Sequence, residues 1–514
     1  MTPKLWLDVE DLFEYARANP RPSGIQRLAF EIYKALRTRP DTCEFVRFVR
    51  HDTTRNSFRV IQFAEVEALF TNLTETLPEK EPPQLPSPIL PHPPSRQFMR
   101  KLVHRLPPSL RAHVIQVILT QAAALRSLLG LFDALARGVW LRVMRPFHWF
   151  RKKKGSAVAP PRRETTSEAA EGVVSGTDDP SDVFEADSAP GDILLVLGSP
   201  WSHPDYARLI APQRARGLRF GLLVYDLIPL RRPEWCDRGL VRIFRSWFDD
   251  IYPLCDHVFA ISQFTANDIA LYARERGMAS GVVVTPLPIG TSFGGVADAA
   301  PPAARGKRLP KPGSYALIVS TIEARKNHLL LFRVWRRMLE ELPRNCIPTL
   351  VFAGRVGWLV DDLMKQIANT DSLDGKLLLV KNPTDAELRT LYEGCQFTLF
   401  PSFYEGWGLP VTESLALGKP CLTSDRTSLP EAGGALTRKF DPDNLNDAYD
   451  AITKVIGDQA DLARWTAQVR REFKPVSWSE TAKVLLTTLG YPPLAAPRAS
   501  EIEPLPMRVG ARGG

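Results

Sequence analysis

Apolar positions fall into short unbroken runs separated by longer stretches with helical spacing. Leu5–Val9 is mostly apolar and reads as a first strand. A turn-forming stretch follows, Asn19, Pro20, Arg21, Pro22, Ser23 and Gly24. Ile25, Leu28, Ile32 and Leu36 then recur at helix spacing. Phe45–Val49 and Val60–Phe63 read as further short strands, and Ile193–Leu197, Phe220–Tyr225, His257–Ile261 and Val282–Thr285 continue the series. Runs that are apolar throughout, alternating with helices, predict parallel strands covered on both faces. The second half repeats the rhythm at Tyr315–Ser320, Thr349–Ala353, Lys376–Val380, Phe397–Phe400 and Pro420–Thr423. Helices are expected between them, at His328–Leu342 and Asp385–Glu393, the latter opened by a Thr384/Glu387 capping box. A last helix is expected at Ser479–Leu489.

This pattern predicts an α/β protein of two Rossmann-like halves. The first comprises 1–77 and 188–300 and the second 310–475, followed by a terminal helix at 476–490 and a tail at 491–514. Ligands of such sheets bind beyond the carboxyl ends of the strands, so the expected site is the cleft between the halves. Residues 78–187 interrupt the first half. Eight of the 17 residues Pro78–Pro94 are proline, which suits an extended linker. Glu164–Asp187 holds eight acids and no base, and is expected to be disordered.

Charge sharpens the picture of the insert. The 514 residues carry a net +9. Lys101–Lys154 has eleven Lys/Arg against one acid, Asp133, a net of +10, so the remainder sums to −1. That distribution argues against nucleic-acid binding by the body of the protein, whatever the overall charge suggests. The basic segment is also apolar, but its longest run free of charge and histidine, Val114–Leu125, has 12 residues, where a spanning helix needs about 20. It is expected to lie on an anionic membrane surface instead. The six cysteines are scattered without a C-x-x-C pair, which suits a reducing cytosol. Asp8, Glu10 and Asp11 and the lack of an apolar core at the start make a signal peptide unexpected.

The segment Phe397–Gly418, FTLFPSFYEGWGLPVTESLALG, is the most informative. A strand gives way to a turn carrying Glu405, with Gly406 and Gly408 permitting close backbone approach to a ligand. Pro410 suits the first turn of a helix and Gly418 its end. Glu413 lies early in that helix. Free amides at a helix start suit a phosphate, and ionised carboxylates accept from sugar hydroxyls. The plainer alternative is a solvated helix start whose two acids merely complement the dipole. Arg325 and Lys326, in EARKN after the strand Tyr315–Ser320, suit a diphosphate or an ordinary solvated loop. Arg21–Arg27 places Gly24 and Arg27 where a glycine loop could approach a phosphate, or where Ser23 simply caps a helix. Arg355 and Lys381, at two further strand ends, are site cations or surface ones.

Glu405 and Glu413 match the E-x7-E motif of glycosyltransferase family 4, within E-G-x-G-L-P…E-S-x-A-x-G-x-P, and Pro430-Glu431-Ala432-Gly433-Gly434 extends the likeness. The chain resembles these retaining transferases, most of all the bacterial mannosyltransferases of polysaccharide assembly. The resemblance covers Tyr315–Leu489 well, Leu5–Leu36 and Asp192–Gly290 more weakly, and 78–187 not at all. It implies the GT-B fold, with the low-complexity stretch as an insertion in its N-terminal domain. It also implies a nucleotide-sugar donor, GDP-mannose, and a saccharide acceptor carried on a polyprenyl diphosphate. Glu405 would then touch the transferred sugar and Glu413 the ribose, while the amides of Trp407, Gly408 and Leu409 hold sugar and phosphates. Lys326 matches the family's diphosphate lysine. The family's Gly-Arg at this strand end is Val319-Ser320 here, so Arg325 would stand in for that arginine. Gly354 and Arg355 resemble the loop near the nucleotide, and Lys381 follows the strand whose backbone reads the base. Tyr225 occupies the place of a histidine found in many relatives, so no general base is assigned. Asp226 would orient the acceptor or cap a turn, and His203 is a further strand-end candidate.

Transfer with retention is held to use the leaving diphosphate as the acceptor of the proton. No D-x-D stands at a strand end, Asp441-Pro442-Asp443 being in a loop, so no metal is expected. The cytoplasm is the expected compartment, at the inner face of the cell membrane. The competing expectations are a UDP-sugar transferase, a sugar-nucleotide epimerase of the same fold, and a membrane-surface scaffold without catalysis.

Overall fold

The computed structural model describes residues 2–19, 21–39, 41–52, 56–74, 184–203, 205–278, 281–291 and 309–492. The Pro-rich linker, the basic segment and residues 164–183 of the acidic tract lie outside the described residues.

The first domain is built on a seven-stranded sheet: β1 (Leu5–Asp8), β2 (Val46–Asp52), β3 (Ser57–Ile61), β4 (Ile193–Val196), β5 (Arg219–Val224), β6 (His257–Ala260) and β7 (Val283–Pro286), in the order β3-β2-β1-β4-β5-β6-β7. All pairings are parallel except the edge pair β2–β3, which is antiparallel. The second domain has six parallel strands: β8 (Tyr315–Val319), β9 (Thr349–Ala353), β10 (Leu377–Val380), β11 (Thr398–Phe400), β12 (Cys421–Ser424) and β13 (Arg438–Phe440), in the order β10-β9-β8-β11-β12-β13. This is the two-sheet GT-B architecture, with both sheets covered on both faces. Leu5, Leu7, Ile193 and Leu195 pack on one side of the first sheet, and Trp6, Leu194 and Val196 on the other. In the second sheet Ala316, Ile318, Leu350 and Phe352 divide in the same way from Tyr315, Leu317, Val351 and Ala353. Alternation of side chains along a strand explains why these runs are apolar at every position.

Three elements differ from the sequence expectation. The predicted strand at Val60–Phe63 ends at Ile61, and Phe63 instead opens a helix, Phe63–Thr74. Its ring sits 6.3 Å from Phe30 and 5.0 Å from Phe48, so aromatic packing draws it out of the sheet. The acidic tract is ordered at its end. Phe184–Asp187 is a short helix whose buried Phe184 lies edge-on to Trp6 at 5.0 Å and to Phe58 at 5.3 Å, and one aromatic anchor outweighs the acidic composition. β13 had no sequence signal, being three residues with two polar ones.

The last helix, Trp478–Thr488, returns to the first domain. It packs beside helix Gly24–Arg37, and Ala482, Leu485 and Leu486 join the first domain's core. The Thr481 hydroxyl donates to Pro288 O at 2.6 Å, and Tyr491 stacks on Phe45 at 4.6 Å.

Candidate active site

Three loops, each following the carboxyl end of a parallel strand, converge where the domains meet. β8 runs into Glu323 and the turn Ala324–Lys326, β11 runs through Ser402–Gly408 into helix Leu409–Ala416, and β5 ends at Tyr225-Asp226. Residues 79 apart in sequence meet here. Lys326 Nζ lies 2.6 Å from Glu405 Oε1, and Arg325 Nη1 lies 2.9 Å from the same oxygen. Ser402 also donates to it. Arg325 bonds Glu323 at 2.7 Å through its other nitrogen and donates to Tyr404 O. The side chains of Arg325, Lys326 and Glu405 are only 14%, 13% and 10% exposed.

Burial would raise the Glu405 carboxyl, but Arg325 and Lys326 outweigh it and hold it down at about 2. It is therefore ionised throughout the physiological range, an acceptor and not an acid. Burial raises Asp226, with Arg325 opposing, and burial, seconded by Arg325, lowers Lys326. Two cations thus face three carboxyls, Glu323, Glu405 and Asp226, in a nearly closed site where charge interactions are strong.

The turn that carries Glu405 is tied from below. Glu405 N donates to Thr427 Oγ1 at 3.0 Å, and Ser428 Oγ donates to the carbonyls of Glu405 and Trp407, each at 2.9 Å. No hydrogen bond runs from the backbone N–H of Trp407, Gly408 or Leu409 to another described residue, so the helix start offers free donors. Glu413, one turn on, accepts from the buried Tyr392 hydroxyl at 2.9 Å, and burial raises its carboxyl.

The glycines admit close approach of protein atoms. A Cβ on Gly406 would fall 1.9 Å from Tyr225 O, so its bareness serves the approach of the two domains. Gly408 has φ +115°, and a Cβ there would meet Leu429 Cδ2 at 2.7 Å. Gly354 admits Ser320 O, 2.0 Å from where its Cβ would be. Gly24 faces Leu409 Cδ1 at 3.6 Å across the seam, and the side chains of Trp407 and Leu409 pack against the first domain's core.

Arg27 is also placed differently. It makes two 2.8 Å bonds to the carboxylate of Asp385 in the other domain, in place of the phosphate contact the glycine loop suggested. Arg21 bonds the carbonyls of Asn382 and Pro383 at 2.8 and 3.0 Å. Arg355 and Lys381 are both exposed, and the charge of Arg355 is felt by Tyr15 of the first domain. Glu431, in the extended motif, accepts from the amides of Gln263 and Phe264 at 2.8 and 3.3 Å and so caps a helix of the first domain.

One cluster, of which the sequence reading singles out only His203, lies in the first domain. At the carboxyl edge of β1 and β2, Asp8 Oδ2 lies 2.7 Å from His51 Nε2 and 2.7 Å from the Tyr206 hydroxyl. Asp11 accepts from Ser199 N at 3.0 Å, and burial pushes its carboxyl up to about 7. His203 stands edge-on to His51 at 5.0 Å. Asp8, Asp11, His51 and His203 line a small cavity with Glu14. Asp8 and Asp11 directly after an apolar strand were a signal of sorts, whereas His51 inside a strand carried none.

Residues 303–472 match the family described as glycosyl transferases, group 1. That part of the chain is a group 1 glycosyl transferase domain. It holds Arg325, Lys326, Glu405 and Glu413, and the first domain supplies Asp226 and the Asp8 cluster. Among curated proteins, the serotype-specific mannosyltransferase WbdA of Escherichia coli is 27% identical over 322 residues, 60% of this chain and 38% of that protein. The O-antigen chain mannosyltransferase B of E. coli is 27% identical over 258 residues, 49% of this chain and 65% of that protein. The chain thus spans well under half the length of WbdA. Among solved structures, TarM shares 14% identity with a TM-score of 0.44, over 58% of this chain and 54% of that one. Anabaena HepE, solved with UDP and glucose, shares 14% identity with a TM-score of 0.44, over 58% and 77%.

Proposed function

We propose that the chain is a retaining glycosyltransferase that moves mannose from GDP-mannose onto a saccharide acceptor in bacterial polysaccharide assembly. The observation that carries this reading is the meeting of Arg325, Lys326 and Glu405 beside the unbonded amides of Trp407, Gly408 and Leu409. As the bond from the sugar carbon to the diphosphate breaks, negative charge grows on the leaving oxygen. Cations already fixed and largely desolvated stabilise it without reorganising. Glu405 offers its lone pairs to sugar hydroxyls, and Glu413 to the ribose. The acceptor hydroxyl forms the new bond on the face the diphosphate leaves and gives its proton to a diphosphate oxygen. No general base is then required at Tyr225, and Arg325 and Lys326 do the work a metal would otherwise do.

The choice of mannose leans on WbdA and the O-antigen chain mannosyltransferase, and the choice of a lipid-linked acceptor on the kind of assembly their names describe. A thermal-shift series with GDP-, UDP- and ADP-sugars checks the donor. A ligand that binds only the native state stabilises it by about 2.7 kcal/mol at a hundredfold excess over Kd. GDP-mannose is expected to give the largest rise in Tm. A larger rise with a UDP-sugar would replace the donor, and no rise with any nucleotide sugar would remove the transferase reading.

Among the described residues no helix is long and apolar enough to cross a membrane. The +10 of residues 101–154 supports a surface association, at about 1 kcal/mol per basic residue close to an anionic leaflet. It would hold the cytoplasmic enzyme at the inner face of the membrane, near a lipid-linked acceptor. Deleting 101–154 should abolish co-sedimentation with vesicles containing phosphatidylglycerol. Unchanged co-sedimentation would leave the charge without this role.

A further inference from the structure

Helix Asp385–Gly394 reaches the candidate site through two side chains on one face. Its first residue, Asp385, holds Arg27 of the first domain by two 2.8 Å bonds. Two turns further on, Tyr392 donates its hydroxyl to Glu413 Oε2 at 2.9 Å. The helix is a firm carrier for both. The two hydrogen bonds of its Thr384/Glu387 capping box are formed, and the Tyr315 hydroxyl donates to Leu391 O at 2.7 Å. The Tyr392 ring is fully buried in one core with Tyr315, Leu317 and Cys395, so its hydroxyl is aimed by packing.

Glu413 is only partly buried, and its carboxylate takes no other hydrogen bond or ion pair among the described residues. One oxygen is held and Oε1 is left open. A buried tyrosine hydroxyl needs a partner, and the neighbouring Tyr315 finds one in the backbone. Tyr392 reaches instead for a carboxylate on another element, 21 residues away in sequence. Burial raises the Glu413 carboxyl. The Tyr392 hydrogen bond opposes that rise, seconded by Arg27, so the same hydroxyl favours the ionised form that accepts from a ligand.

We propose that Tyr392 is a positioning residue: its hydroxyl pins Glu413 Oε2, so that Oε1 is presented to the ribose hydroxyls of the bound nucleotide. The proposal rests on the reading that Glu413 meets the ribose, and it names what fixes that contact. A glutamate side chain left to rotate would lose that freedom on binding, and a side chain already pinned loses less. The ribose stands away from the sugar carbon that reacts. Its contact is therefore the same before and during transfer, and its loss shows in KM for the donor more than in kcat.

The test is titration calorimetry of the full chain with GDP and with 2′,3′-dideoxy-GDP, which lacks the two ribose hydroxyls. The wild type is expected to prefer GDP by about tenfold or more, the usual worth of hydrogen bonds to a charged group. Tyr392→Phe keeps the ring in its core and removes only the hydroxyl, and melting checks the fold. It is expected to weaken GDP about tenfold and leave the dideoxy analogue unchanged, so the preference collapses. Its KM for the donor should rise by a similar factor, with a much smaller change in kcat. A preference kept in Tyr392→Phe but lost in Glu413→Ala strikes the positioning role alone. Equal weakening of both nucleotides in Tyr392→Phe makes the hydroxyl a structural group and also overturns the proposal. A preference kept in Glu413→Ala strikes the ribose contact itself and the proposal with it, and a wild type that does not bind GDP overturns both together with the donor.

Discussion

Lys326→Ala is expected to lower kcat by about 10²–10³-fold, the usual cost of removing one preorganised donor from developing negative charge. The side chain is 13% exposed, and its Nζ sits 2.6 Å from Glu405 Oε1. Its loss leaves Glu405 partnered by Arg325 at 2.9 Å and by Ser402, so the carboxylate is not stranded and the fold survives. The change should therefore appear in turnover and not in Tm. Single-turnover transfer from the donor, with circular dichroism and melting as controls, measures it. A folded variant that transfers within threefold of the wild-type rate would show that Lys326 does not meet the leaving group.

Gly406→Ala is expected to be nearly as severe, for a reason with no connection to ligand binding. The added Cβ would lie 1.9 Å from Tyr225 O and 3.2 Å from Asp226 Cβ, and backbone on the far side cannot swing away like the tip of a side chain. The seam must part. The bond from Thr265 Oγ1 to Gly406 O, 3.2 Å long, and the contact of the Tyr404 hydroxyl with Asp268 would loosen with it. A misplacement of about 1 Å at reacting groups costs about 10²-fold in rate. The expected result is a fall of that order in kcat/KM, with increased amide exchange at 263–268 and 404–408. Gly457→Ala, where a Cβ meets nothing within 4 Å, is the matched control and should behave as the wild type does. Unchanged exchange and activity in Gly406→Ala would mean that the working protein does not adopt this seam.

Legibility differed sharply between elements and site. The apolar runs at Leu5–Asp8, Ile193–Val196 and Tyr315–Val319 announced buried strands because a strand covered on both faces must be apolar at every position. Thr384 and Glu387 announced the helix Asp385–Gly394, and both hydrogen bonds of its capping box are present. Phe63 and Phe184 misled because their surroundings, not their neighbours in sequence, decide where an aromatic ring goes. Gly406 read as room for a ligand, since a glycine in a turn shows that something comes close without showing what.

Local periodicity and turn chemistry were enough to establish two α/β halves, an interrupting segment that holds the excess positive charge, the two loops that bear Arg325, Lys326 and Glu405, and the helix that bears Glu413. Those features are short-range: they follow from which side chains must be buried and which backbone angles each residue permits. Long-range packing settled the rest. It brought Lys326 onto Glu405 and turned Arg27 toward Asp385. It assembled Asp8, His51 and Tyr206 from three separate stretches, and carried helix Trp478–Thr488 back to the first domain. Each of these contacts depends on how two complete cores stack and how their loops are then aimed, and no spacing along a single segment encodes that.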